Sequence, residues 1–268
     1  NGGDGFSDIY GTDIFLSRLP DTKIALKRNI PYILLPQTIG PFKVASNKKN
    51  AEDILLNAKK IFVRDDKYIK RLEDLNLNYE LTKDLSAFMK AERWNIDIIP
   101  ESIGLNISGL ALYNKFPGLA GQFDNYRDLI LGIIDLFLAK GKSIYLISHS
   151  YNFNTPEKNN DDLAACKDIY QSLSNTENVV LVNEDLTPPQ IKYVISKMSF
   201  FIGTRMHANF AAMYTGVPLY GLAYSYKFKG AFDANGLNGD EQTSMINNIS
   251  KDDINSIIKK IESFWNKV

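Results

Sequence analysis

Short runs of β-branched and aromatic residues alternate with longer amphipathic stretches along most of this chain. This alternation is typical of βα units around a parallel sheet, because each strand is followed by a helix that crosses back over the sheet. We therefore predict an α/β fold. The predicted strands are residues 32–35, 61–63, 103–106, 143–147, 179–182, 200–202 and 219–222. The predicted helices are residues 48–60, 67–75, 126–140, 161–173, 189–197, 205–214 and 252–265.

The order of these elements predicts two Rossmann-like domains with parallel sheets. A chain of 268 residues is long enough for one large or two modest domains. A shift in composition over residues 90–102, where Pro100 precedes a new strand, sets the predicted boundary between domains 1–98 and 99–268. The second domain holds five predicted strands and is nearly complete. Residues 1–6 resemble a loop that follows a strand, so we expect a truncated N-terminal domain.

The charge balance excludes a bulk attraction to polyanions. Lys and Arg together number 31, as do Asp and Glu, so no net field draws the chain to nucleic acid or to an anionic membrane. Any bound anion must be held by a local site. The single cysteine, Cys166, cannot form an internal disulfide, which fits a reducing compartment.

The hydropathy pattern gives no membrane span and no visible signal peptide. The longest nearly apolar run, residues 129–139, is short and contains Asp135. We therefore predict a cytoplasmic protein, with peripheral contact at the inner membrane surface left open.

Several well-known site motifs are absent from the sequence. It has no cysteine cluster and no His-x-x-x-His pair for zinc. It also lacks the phosphate-binding Gly-x-x-x-x-Gly-Lys-Ser/Thr loop, the Gly-x-Gly-x-x-Gly dinucleotide motif and the Gly-x-Ser-x-Gly elbow.

Residues 199–220 form the most informative segment, which reads as strand, Gly-Thr turn, helix and next strand. Thr204 is a candidate N-cap, and Gly216 ends the helix. Arg205 and His207 then lie in the first helical turn, beside free backbone N–H groups at the carboxyl end of a strand, where parallel α/β sheets bind ligands.

Arginine offers a fixed fork for a carboxylate or phosphate, and histidine offers a proton near neutral pH. The pair therefore predicts an anion site. An equally good interpretation of the spacing alone is a solvated surface arginine and a structural histidine.

These residues also carry a resemblance to a known family. The stretch Gly203-Thr-Arg-Met-His-Ala, then Gly216-Val-Pro, then Ala223-Tyr-Ser-Tyr-Lys, resembles the C-terminal signature of polysaccharide pyruvyl transferases, G-x-R-x-H-A, G-V-P and Y-x-x-K. Weaker upstream matches occur in the correct order. They are Gly2-Gly3 with Phe6 and Asp8, then Pro36-Gln-Thr-Ile-Gly-Pro-Phe, Val63-Arg-Asp, and Ser148-His149 followed by Asp161-Asp162.

The resemblance implies a GT-B-like pair of Rossmann domains and the transfer of pyruvyl from phosphoenolpyruvate to a sugar of a surface polysaccharide, such as an exopolysaccharide or capsule, or of its lipid-linked precursor. Phosphoenolpyruvate is then a co-substrate, and no metal or cofactor is implied. The expected partners are this small-molecule donor and a sugar or lipid-linked oligosaccharide acceptor.

The resemblance also suggests roles for individual residues. The expected catalytic residues are His207 and His149. The expected donor-binding residues are Arg205, Thr204, Lys227, Tyr224, Arg64 and Asn106, and the expected acceptor-binding residues are Gln37 and Thr38.

One position departs from the family pattern. In many relatives the first strand of the second domain ends in an arginine that helps to bind the donor, but this strand reads Ile103-Gly-Leu-Asn-Ile-Ser-Gly. Either Asn106 and Ser108 serve another purpose, or Lys227 or Arg64 replaces the missing cation. Two alternatives therefore stay open, namely a GT-B glycosyltransferase with a nucleotide-sugar donor and a non-catalytic carbohydrate-binding relative.

Other segments also have plain structural interpretations. Residues 36–42 fit a structural turn between a strand and a helix. Arg64 and Asp65 fit a local ion pair. Asp161 and Asp162 fit the start of a helix, where carboxylates suit the dipole.

Overall fold

The computed structural model describes residues 3–9, 11–66, 68–116, 118–225 and 227–268. Three residues that carry sequence predictions, Gly2, Lys67 and Tyr226, lie outside the described residues. The chain divides into two compact units, residues 1–88 and 89–268. Residues 89–98, which we predicted to belong to the first domain, therefore group with the second. The cause is a series of hydrogen bonds, among them one from the Lys192 ammonium to the carbonyl of Met89 at 2.7 Å and one from the Trp94 indole to Glu184 at 2.7 Å.

The first unit contains a parallel four-stranded sheet in the order β1-β2-β3-β4. Its strands are β1 (Gly3–Phe6), β2 (Ile33–Ile39), β3 (Lys60–Val63) and β4 (Tyr79–Leu81). Its helices are α1 (Thr12–Ser17), α2 (Pro20–Lys27), α3 (Ala45–Asn57) and α4 (Ile69–Asp74), with a short 3₁₀ turn at Leu85–Ala87.

Two predictions for the first unit are wrong. Gly3–Phe6 is the strand β1 and not a loop, because pairing with β2 determines its conformation although it has no β-branched residue. Residues 36–39 belong to β2 and not to a turn, since the chain leaves the strand only at Gly40, whose φ is 64°. The pairing of β2 with its neighbour β3 is irregular between Leu34 and Gln37, where Pro36 offers no N–H.

The second unit contains a parallel six-stranded sheet in the order β10-β9-β8-β5-β6-β7. Its strands are β5 (Ile103–Asn106), β6 (Ile144–Leu146), β7 (Val179–Leu181), β8 (Phe200–Gly203), β9 (Leu219–Ala223) and β10 (Thr243–Met245). The order is that of a doubly wound Rossmann sheet, with β5 as the first strand and β8 as the fourth. The sequence predicted five of the six strands and missed β10.

Helices cover both faces of this sheet. They are α5 (Gly109–Tyr113), α6 (Tyr126–Ala139), α7 (Asp162–Ser172), α8 (Pro188–Ile195), α9 (Met206–Met213), α10 (Lys227–Asp233), α11 (Gly239–Gln242) and α12 (Lys251–Trp265). Helices α6, α7 and α12 contribute to one hydrophobic core, and α8, α9 and α10 to the other. The apolar stripe of α6 belongs to the core, because Leu129, Ile133 and Phe137 are buried.

The strand order creates a switch point between β5 and β8. From β5 the chain adds strands in one direction, and from β8 it adds them in the other. Connections therefore leave the carboxyl ends of these two strands in opposite directions, which opens a crevice where doubly wound folds bind ligands. Gly216, at a φ of 75°, follows the end of α9 as predicted. Among the described residues, no helix combines the length and the apolar character needed to cross a membrane.

Candidate functional site

The switch point of the second sheet gathers most of the predicted site residues. Asn106 ends β5 and pairs with Gly203, the last residue of β8. Arg205 and His207 follow β8, and His149 follows β6, the other neighbour of β5. Because the carboxyl ends of parallel strands meet at one edge of the sheet, these residues lie along that same edge.

Thr204 has a different role from the predicted one. Helix α9 begins at Met206 with Arg205 as its N-cap, so the prediction of a Thr204 cap is wrong. Thr204 is fully buried, and its hydroxyl shares a hydrogen bond of 2.7 Å with the hydroxyl of Tyr126. A buried and bonded hydroxyl fixes the turn after β8, and the donor role of Thr204 stays a prediction.

Asn106 is also a structural residue. Its side chain is fully buried, and its amide donates to the carbonyl of Ile147 at 3.0 Å and to Asp162 at 3.3 Å. Its side-chain oxygen accepts the backbone N–H of Arg205 at 2.8 Å. The Asn106 side chain therefore satisfies the backbone N–H at the start of α9 and joins the loops after β5, β6 and β8. Its donor role stays a prediction.

The guanidinium of Arg205 is paired inside the protein. Its Nε and Nη2 donate to Asp162 Oδ1 at 3.0 and 2.8 Å, and Nη2 also donates to the carbonyl of Asn160 at 2.8 Å. Burial by itself lowers the pKa of Arg205, but the Asp162 carboxylate reverses this, so the net pKa is raised and the group stays charged. Nη1 makes no hydrogen bond to any part of the chain that the structure describes. Arg205 therefore offers one end of its guanidinium, not the open fork that we predicted.

The two histidines of the chain lie side by side. Their ring centroids are 6.4 Å apart and their planes differ by 14°. His207 is exposed, and its ring meets Phe210 edge to face, whereas His149 is partly buried. Both imidazoles therefore flank the same opening at the carboxyl edge.

The neighbouring strand β9 adds Tyr224 and Lys227 to this edge. Tyr224 directly follows β9, is half-buried, and lies near enough to Arg205 to raise its pKa electrostatically, after the stronger effects of burial and Asp162. Its ring packs edge to face on Phe228, with centroids 5.4 Å apart. Lys227 begins α10 and is partly exposed. The donor role of both residues stays a prediction.

The remaining predicted residues lie in the first unit. Arg64 Nη1 donates to Asp84 at 2.6 Å and its Nε donates to the Thr38 hydroxyl at 3.0 Å. Thr38 in turn donates to Asp65 and is buried. The sequence suggested an ion pair of Arg64 with Asp65, but the ion pair in the structure is with Asp84. The donor role of Arg64 stays a prediction.

Gln37 precedes Thr38 in β2 but has different surroundings. It lines a pocket of about 220 Å³ together with Arg18 and Thr22. Because neighbouring residues of a strand face opposite sides, Gln37 and Thr38 do not form one contact surface. The acceptor role of each stays a prediction.

A sequence match over most of the chain identifies its family. A family model described as polysaccharide pyruvyl transferase matches residues 1–226. The chain belongs to the polysaccharide pyruvyl transferase family. The matched range includes His149, Arg205, His207 and Tyr224 and ends just before Lys227. Membership of a transferase family that acts in polysaccharide biosynthesis confirms the resemblance read from the sequence.

The fold is similar to that of a solved enzyme from another family. UDP-GlcNAc 2-epimerase from Methanocaldococcus jannaschii, crystallised with UDP-GlcNAc and UDP, aligns over 92% of this chain with a TM-score of 0.51 and 11% identity. The chain spans about two thirds of that structure, 66% of its length. At this identity the similarity concerns the fold alone, and it confirms the predicted α/β, GT-B-like architecture with two parallel sheets.

Sequence reasoning missed the most connected residue of this candidate site. Asp162 is fully buried and accepts hydrogen bonds from the loops after β5 and β6 and from Arg205. We interpreted it only as a carboxylate at a helix start, which it also is, because it is the first residue of α7. Its place in the Asp161-Asp162 pair, which follows Ser148-His149 in the family order, was the only available signal.

The titration of His149 makes the stability of the fold depend on pH. Burial, reinforced by the nearby His207, lowers the pKa of His149 from 6.5 to about 4. Between those two values the unfolded chain binds more protons than the folded chain, so acidification destabilises the fold. We expect His149 to remove up to about 3 kcal/mol of stability between pH 7 and pH 4.5.

The measurement is urea unfolding of the wild type and of His149→Gln at both pH values. The wild type should lose about 2 to 3 kcal/mol more than the variant on acidification. Equal losses in the two proteins would mean that His149 titrates normally.

Proposed function

We propose that this chain transfers the pyruvyl group of phosphoenolpyruvate to two hydroxyls of a sugar, forming a ketal and releasing phosphate. The sugar belongs to a surface polysaccharide or to its lipid-linked precursor. The observation that carries the proposal is the close placement of His149, His207 and the charged Arg205 at the switch point of a Rossmann sheet. Family membership supports the same reaction class.

Donor binding in this proposal uses the cationic groups at the carboxyl edge. The donor carries a carboxylate and a phosphate, and Arg205 Nη1 binds one of them by a charge-assisted hydrogen bond. The N-terminal end of α9, where the helix dipole is positive, and Lys227 at the start of α10 hold the other. This assignment also explains how the site works without an arginine at position 106.

The first chemical step is protonation of the donor's methylene carbon. His207 in its protonated form is the proposed general acid, since its ring is exposed and reaches a bound molecule. The new C–H bond forms with the electron pair of the enol double bond, so positive charge develops at the neighbouring carbon. A sugar hydroxyl attacks this carbon, and His149, neutral because its pKa is lowered to about 4, accepts the hydroxyl proton.

The second step replaces phosphate with the other hydroxyl. The C–O bond to phosphate breaks, phosphate leaves with the bonding electron pair and takes one proton, and the second sugar oxygen bonds to the same carbon. One donor and one diol therefore give one ketal and one hydrogen phosphate, with no redox change. Every proton transfer in this scheme uses an imidazole, the sugar or the leaving phosphate.

Ligand-induced stabilisation tests the donor. A ligand at 100 times its dissociation constant stabilises the folded state by about 2.7 kcal/mol, which a thermal unfolding assay resolves. We expect phosphoenolpyruvate to raise the midpoint, with pyruvate and inorganic phosphate as weaker matched controls. Stabilisation by UDP- or GDP-sugars without stabilisation by phosphoenolpyruvate would instead support the nucleotide-sugar glycosyltransferase.

A further inference from the structure

We infer that Asp162 is the positioning residue of the site, holding the Arg205 guanidinium along its Nε–Nη2 edge so that only the Nη1 end meets the donor. This inference rests on the proposed function for the identity of the donor. Asp162 and the end-on orientation of Arg205 are the features that go beyond that proposed function.

The Asp162 carboxylate joins the three loops that border the switch point. Oδ1 accepts the backbone N–H of Gly109, after β5, at 2.9 Å. Oδ2 accepts the backbone N–H groups of Ser150 and His149, after β6, at 3.0 and 3.3 Å. Arg205, after β8, bonds to both oxygens. A side chain with no solvent exposure therefore sets the spacing of all three loops.

The orientation of Arg205 follows from these contacts. Two of its three nitrogens face the carboxylate, and Nη2 has a further partner in the carbonyl and side-chain oxygens of Asn160, both at 2.8 Å. The preceding Asn159 adopts a φ of 65°, a left-handed conformation that asparagine tolerates. The fork is thus occupied on one side by Asp162 and Asn160, and the guanidinium is presented end-on.

The carboxylate cannot be replaced by its amide without conflict. Among the described residues, every hydrogen-bond partner of the Asp162 carboxylate approaches it with an N–H group. These partners are Gly109, Ser150, His149, Asn106 and Arg205. An asparagine would turn an NH₂ group toward at least one of these donors and would leave the buried guanidinium without its counter-charge. Asp162→Asn should therefore release Arg205 from its present orientation.

Asp161 offers a matched control next door. It is also buried, but it accepts from the backbone N–H groups of Ala164 and Asn152, at 2.9 and 3.0 Å, as the N-cap of α7. Asparagine is as good an N-cap as aspartate, so Asp161→Asn keeps the cap of α7 and loses at most the separate hydrogen bond from the Asn152 N–H. The two variants apply the same chemical change to neighbouring carboxylates, only one of which touches Arg205.

The kinetic test compares both variants with phosphoenolpyruvate as donor. Because a misplacement of about 1 Å can cost on the order of 100-fold, Asp162→Asn should lower kcat/KM about 100-fold, while Asp161→Asn should stay within about twofold of the wild type. In an Arg205→Gln background, Asp162→Asn should cause a much smaller further loss, because only its contacts with the loops after β5 and β6 are then disturbed. Equal losses in both backgrounds would overturn the inference, because Asp162 would then act independently of Arg205.

A readout without substrate separates this inference from the proposed function. In the wild type the Arg205 Nε–H should give a resolved, slowly exchanging NMR signal, assigned by its absence in Arg205→Gln. Asp162→Asn should abolish that protection and Asp161→Asn should keep it. If Asp162→Asn does not fold, recovery of folding in Asp162→Asn/Arg205→Gln supports the pairing, and its failure contradicts it. A protein that protects this proton but ignores phosphoenolpyruvate would contradict only the proposed function.

Discussion

His207→Ala will remove turnover while leaving the fold intact. The ring is exposed and meets the buried Phe210 only edge to face, so its loss should change the free energy of unfolding by about 0.5–1.5 kcal/mol. A general acid contributes about 100-fold to 10,000-fold, and the rate of product formation should fall by a factor in that range. Thermal unfolding and the rate of phosphate release, measured on the same preparation, check both parts.

Arg205→Ala provides the contrast to this variant. Sequence reasoning predicts that both substitutions leave folding intact, but the ion pair changes the expectation for Arg205. Its side chain is 12% exposed and Asp162 is not exposed at all, so truncation leaves a buried carboxylate without its partner. Breaking such a pair costs about 3–5 kcal/mol, partly offset here by the N–H groups that still bind Asp162. Near-wild-type turnover in either variant would contradict the assignment of the site.

Gly109→Ala will disrupt the site by steric contact alone. A Cβ atom on Gly109 would lie 2.3 Å from the carbonyl oxygen and 2.6 Å from the carbonyl carbon of Asp161. Backbone atoms cannot rotate away, so the segment that carries Asp162 must shift. We expect a loss of about 1–3 kcal/mol of stability and, because Arg205 moves with Asp162, on the order of 100-fold in turnover.

Gly132→Ala is the matched control for this prediction. Gly132 lies inside helix α6, and its added methyl would meet only the Cδ1 atom of Ile258, at the far end of a flexible side chain. Alanine also favours a helix over glycine by about 0.8–1.0 kcal/mol, so this variant should be nearly neutral in stability and turnover. Equal effects of the two substitutions would show that the contact between Gly109 and Asp161 is unimportant.

The second sheet was predictable because its strands carry strong local signals. Residues 103–105 and 200–202 are apolar and buried on both faces, and helix α6, later in the same unit, carries a clear apolar stripe. By contrast, β4 and β10 are three residues long and partly polar, which is too short to show a period. These two strands form because they pair with a neighbouring strand. The residues of one short segment do not show which strand it will pair with.

The site was predictable in its location but not in its internal contacts. The R-x-H spacing after a strand correctly brought Arg205 and His207 to the carboxyl edge of the sheet, and His149 joins them from β6. The sequence did not reveal that Asn106 caps α9 or that Asp162 pairs with Arg205. Those hydrogen bonds join loops that are 99 and 43 residues apart in the chain, and spacing carries no information on them.

A coupled measurement of phosphate release and product mass tests the proposed transfer of pyruvyl from phosphoenolpyruvate to a sugar. The protein is incubated with phosphoenolpyruvate and a panel of lipid-linked and nitrophenyl sugars that offer two neighbouring hydroxyls. We expect phosphate release that depends on the sugar, one pyruvate ketal per phosphate in the product, and loss of both signals in His207→Ala. Binding of a sugar without phosphate release from any member of the panel would contradict it and favour a non-catalytic carbohydrate-binding protein.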